Sequence, residues 1–78
     1  MEGLTEGRIV HYIMSDGRHR PAIVVNVMDK VSGSVELQVF LSKTDYPYED
    51  SKTITAYASY GPDPETSLLG SWHWIEKA

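Results

Sequence analysis

The 78 residues contain no cysteine. This excludes a disulfide framework, a thiolate zinc site and a cysteine nucleophile, and it fits a reducing compartment. No apolar run approaches the ~18 residues of a membrane-spanning helix. The opening MEGLTEGR lacks the basic and apolar regions of a secretion signal, so a soluble cytoplasmic protein with no membrane partner is expected. The chain has material for one core, a single domain over residues 1–78, which argues against a two-domain enzyme. A chain of this size buries only about 60% of its unfolded surface, so association into a homo-oligomer is expected to add what the core lacks.

Positive charge is scarce as well. Seven Lys and Arg stand against eleven Asp and Glu, a formal net charge of −4. The imbalance is local, because the two signs cancel over residues 1–30 and the whole acidic excess lies in residues 31–78. Binding along a nucleic-acid backbone needs basic groups spread over a surface, since affinity grows with each phosphate neutralised. That footprint is missing, and nucleic acid is not an expected partner. The arginines are instead concentrated: Arg8, Arg18 and Arg20 share one short segment with His11 and His19.

What is present is a succession of strands. Residues 8–14 (RIVHYIM) are rich in β-branched and aromatic side chains and lead into Asp16-Gly17, a strong hairpin signal. Residues 20–28 form a longer apolar strand, with Pro21 near its start, where proline is tolerated. After the polar 29–34 loop, residues 35–41 alternate cleanly, with Val35, Leu37, Val39 and Leu41 on one face. Residues 42–52 form a long surface loop carrying Tyr46 and Tyr48, residues 53–60 alternate again, and residues 71–76 close the chain as a fifth strand. One helical turn fits residues 66–69. Five short hairpin-linked strands predict an all-β fold: a strongly bent antiparallel sheet or a small SH3-like barrel, since a flat sheet of this size leaves its edges and one face wet.

Two constellations stand out. Arg18, His19 and Arg20 follow the Asp16-Gly17 turn, with Arg8 and His11 on the preceding strand; guanidinium forks and imidazoles suit a phosphate. The competing assignment is a solvated turn with Arg20 paired to a carboxylate, which is the commoner fate of such residues. The second is Gly70-Ser71-Trp72-His73-Trp74. Its two indoles share one strand face, and His73 takes the other. Indoles anchor interfaces and stack on bases, but a domain this small needs at least one of them in its core. Tyr48 is a further candidate for base stacking, whereas Tyr57 or Tyr60 is expected to pack. No catalytic residue is expected. The three histidines lack an in-line ligand spacing such as H-E-x-x-H, and no G-x-S-x-G elbow or glycine-rich phosphate loop occurs, so neither a metal nor another cofactor is predicted.

The segments GRIVHY (7–12), RPAIVV (20–25), LQVF (37–40) and GSWHW (70–74) together resemble a group of small phage and prophage proteins that end in G-[ST]-W-H-W. This sequence has Ile75 where that group suggests proline. The resemblance implies a phage origin and action inside an infected host cell, where small β-rich oligomers include sponges for nucleotide immune signals. A non-enzymatic anti-defence protein is therefore expected, sequestering a cyclic dinucleotide or ADP-ribose-type ligand through Arg8, His11, Arg18, His19, Arg20, Tyr48, Trp72, His73 and Trp74. The alternative is a protein-interaction module, either a virion accessory or an inhibitor of a host protein.

Overall fold

The structure is a computed structural model that describes residues 1–45, 52–62 and 69–75. Within them lie β1 (Ile9–Ile13), β2 (His19–Asp29), β3 (Ser34–Phe40), β4 (Thr53–Ala58) and β5 (Trp72–His73). All pair antiparallel in one sheet of order β4-β3-β2-β1-β5. The all-β expectation holds. No helix among the described residues is long and apolar enough to cross a membrane. The expected helical turn at 66–69, apart from Leu69, and the loop tyrosines Tyr46 and Tyr48 lie outside the described residues.

The first hairpin follows from its turn. Gly17 adopts φ +86°, its N–H donates to Met14 O at 2.9 Å, and Met14 N–H donates to Arg18 O at 2.8 Å. A three-residue loop with glycine in the left-handed position is a standard hairpin solution. It fixes the register, with Ile13 opposite His19 and His11 opposite Pro21. Pro21 lies just outside the β2–β3 ladder, which begins at Ala22–Val39.

The apolar run Ile23-Val24-Val25 suggests a strand buried on both faces, but a register shift between Val24 and Asn26 changes this. A bulge reverses the facing of every residue beyond it. Val24 therefore points into the core, Val25 is exposed, and Val27 returns to the core side. Val35, Leu37 and Val39 of β3 are fully buried, as their alternation requires, together with Val10, Ala22 and Leu4, while Ala56 and Ala58 of β4 are buried nearly as deeply.

Trp72 occupies the centre of this core. Its indole Nε1 donates to Gly33 O at 2.6 Å, satisfying the one polar group the ring carries. Its backbone N–H donates to Ser59 O at 3.1 Å, and its carbonyl accepts from Gly61 N–H at 2.8 Å, which makes a parallel bridge between Tyr60 and Trp72. The sheet is not closed into a barrel, yet this single bridge draws the chain just beyond β4 onto β5 at the other end of the strand order. Two expected strands are shorter than their patterns. After Ala58 the chain turns toward β5, and after His73 it leaves the β1 ladder, although Trp74 still packs edge-on against Trp72 with ring centroids 5.0 Å apart.

Candidate metal centre

The arginines singled out in the sequence have separate fates. Arg20 makes a two-pronged contact with Asp45, Nε to Oδ2 at 2.7 Å and Nη2 to Oδ1 at 2.5 Å. This fork-on-carboxylate geometry is the arginine's strongest pairing. Asp45 is itself almost fully buried and also accepts from Ser42 N–H at 2.8 Å. The Arg20 hydrogen bonds, helped by Ser42 N–H and by Arg18, hold its carboxyl well below the usual range, at about 2, and the same contact raises the Arg20 guanidinium. Arg20 is thus committed to a structural ion pair. Arg18 is looser, 3.4 Å from Asp16 and 3.6 Å from Asp45, with its side chain 53% exposed.

Arg8 stands elsewhere. Its guanidinium carbon lies 5.4 Å from the centre of the Trp74 ring, a cation–π contact. Trp74 is half-buried, Trp72 is wholly buried, and Tyr60 packs on Trp72 at 4.9 Å, whereas Tyr57 is 68% exposed. The expected anion site is therefore divided. Arg20 is held by Asp45, Arg8 lies over Trp74, and Tyr48 lies outside the described residues.

The histidines are brought together instead. His11 on β1 is directly opposite His73 on β5. His19 on β2 is opposite Ile13, two residues along from His11, so it is the diagonal neighbour of His11 on the same face. Alternation places all three on the face opposite Val10, Ala22 and Trp72. The ring centroids are 6.1 Å apart for His11–His19, 5.5 Å for His11–His73 and 4.8 Å for His19–His73. One nitrogen from each ring lies within 4.8 Å of the other two. His73 is 2% exposed, and His11 and His19 are half-buried.

The fold thus brings together three histidines whose spacing in the sequence carries no metal-ligand motif. A search for in-line spacing finds ligands on one helix or one loop, whereas these come from three strands and meet only through register. The signal was nonetheless present. A turn centred on Asp16 pairs residues whose numbers sum to 32, which places His11 and His19 diagonally on one face, and two core-facing tryptophans force His73 to the other.

Tetrahedral nitrogen ligation at ~2.0–2.1 Å per bond requires donor atoms about 3.3 Å apart. The three nitrogens lie within 4.8 Å of one another, so sharing one ion would draw them closer by up to about 1.5 Å. Comparison of the chain with protein-family models, with curated proteins and with solved structures gives no match in any of the three.

Proposed function

We propose that this chain is a metal-binding protein that takes one divalent transition ion through His11, His19 and His73. The observation that supports it is the convergence of three imidazole nitrogens, each from a different strand, within 4.8 Å on one sheet face. Imidazole suits Zn²⁺, Ni²⁺ and Cu²⁺, while Mg²⁺ and Ca²⁺ prefer oxygen donors. The earlier expectation of no metal gives way to this assignment. Equilibrium dialysis of the full chain against Zn²⁺, with the bound ion counted by mass spectrometry, tests it. One ion per chain is expected, with no uptake of Mg²⁺. His11→Ala and His19→Ala, at the two half-buried positions, are each expected to weaken binding by more than about 10-fold. Absence of stoichiometric uptake of Zn²⁺, Ni²⁺ and Cu²⁺, or undiminished uptake by the double variant, overturns the proposal.

A second reading keeps the nucleotide-sequestering role that the phage resemblance implies. What supports it is the Arg8–Trp74 pair, a guanidinium over a half-buried indole, which offers a phosphate contact beside a stacking surface. In this reading the pocket is completed between copies of the chain. Calorimetry against cyclic dinucleotides and ADP-ribose derivatives, with Arg8→Ala as the control, tests it; no heat with either the metal-free or the metal-loaded chain sinks it.

A further inference from the structure

We infer that two copies of this chain pair edge to edge through β4, antiparallel about a two-fold axis at Thr55, so that their two sheets become one. The inference is independent of the metal-binding role. β4 ends the strand order, and its one strand neighbour among the described residues is β3. The hydrogen-bonding side of each residue follows from Leu41, whose N–H donates at 2.9 Å to the carbonyl of Lys52, its opposite in the β3–β4 register. Opposed residues in an antiparallel ladder alternate between bonded and non-bonded pairs. Ile54, Ala56 and Ala58 therefore bond to β3, whereas the N–H and C=O groups of Thr53, Thr55 and Tyr57 point outward from the edge. Farther along the same row, the carbonyl of Ser59 and the N–H of Gly61 are taken up by Trp72. The outward groups of Thr53, Thr55 and Tyr57 have no hydrogen-bond partner among the described residues.

Charge and symmetry select a second copy as the occupant. Natural edge strands are commonly blocked by a charged side chain, a proline or a bulge. β4 is Thr-Ile-Thr-Ala-Tyr-Ala, with none of these, and its register against β3 is unbroken. A two-fold axis sets the central residue of an edge against itself, so a central charge would repel its own copy, and a threonine does not. With Thr55 opposite Thr55, Thr53 of each copy stands opposite Tyr57 of the other. All three pairs are of the bonded kind, two hydrogen bonds to each, so every outward group from Thr53 to Tyr57 is used. The same register sets Tyr57, 68% exposed, in one row with Thr53 and then Phe40 of the second copy, itself 42% exposed. On the core side it sets Ile54 against Ala56. Apolar contact thus accompanies the backbone pairing on both faces of the joined sheet.

Sedimentation of the full chain from micromolar to near-millimolar protein provides the first test, in a chelating buffer that excludes bridging by a metal ion. A reversible dimer of twice the 8.8 kDa chain mass is expected. Thr55→Pro deletes one outward donor from each copy and leaves the bonds to β3 in place, and it is expected to weaken the dimer by about 10-fold or more. Thr55→Val keeps that N–H and is expected to retain the dimer. Amide exchange in the natural chain gives a reading that needs no variant. The amides of Thr53, Thr55 and Tyr57 are expected to be protected in the dimer and to exchange rapidly on dilution, while those of Ile54, Ala56 and Ala58 stay protected at both concentrations. A monomer at near-millimolar protein, a folded Thr55→Pro chain that dimerises undiminished, or a dimer without this alternation along β4 overturns the inference.

Discussion

Asp45 shows how a single buried residue decides the role of another. Its carboxylate receives both prongs of Arg20 and the amide of Ser42, so a side chain that looks in the sequence like a phosphate ligand serves to pin the 42–45 turn to β2. The carboxyl titrates at about 2 rather than its ordinary 3.8. A depressed carboxylate contributes stability that is fully present above the ordinary value and is lost as pH falls toward the lowered one. Thermal unfolding followed between pH 5 and pH 2 (about the span over which such a group titrates) is expected to show this loss, and Asp45→Asn is expected to remove that part of the pH dependence while lowering stability at neutral pH. Gly33 makes a second residue-level case. It adopts φ +77°, and a Cβ there would stand 2.7 Å from Tyr60 Cβ. Gly33→Ala is expected to destabilise the fold by at least about 1–2 kcal/mol from the left-handed backbone alone. Denaturant unfolding measures it, and a stability equal to that of the natural chain would show that the two backbones separate easily.

At the scale of elements, β1 to β4 were legible because their patterns are local. The alternation of Val35, Leu37 and Val39 and the Asp16-Gly17 turn identify a buried face and a hairpin without reference to any distant residue. The bulge at Val25 was not legible, since an apolar run has the same appearance whether or not one of its members is extruded. The histidine centre was missed for a related reason: β5 reaches β1 across some sixty residues of sequence, and only that pairing aligns His73 with His11. β5 contributes two residues to the sheet, and short edge elements open first in native-state exchange. An ion shared by His11, His19 and His73 would crosslink β5 to β1 and β2. Zn²⁺ is therefore expected to slow amide exchange at Ile13, Gly61 and Trp72 more than at Leu37 in the sheet centre. Hydrogen exchange with and without Zn²⁺ checks this, and equal slowing throughout would mean that the ion stabilises the fold only globally.

Across the whole molecule, three of the four pairings among the described strands join consecutive elements, and of these four β1–β5 alone is distant in sequence. The Tyr60–Trp72 bridge is formed where that distant pairing meets the chain leaving β4. Bringing far-apart segments together carries a loop-closure entropy that must be met before the contact is gained. The hairpins β1–β2 and β2–β3 can form early, and β5 then docks with Trp72 as its plug. Contacts made after the folding barrier act on the rate of unfolding alone. In a chevron experiment, Trp72→Phe is expected to raise the unfolding arm with little change in the folding arm; a slowed folding arm would place β5 in the nucleus instead. If the unfolding arm alone moves, the tryptophan that joins the two ends of the strand order sets how long the native state persists, while the speed of its formation belongs to the hairpins.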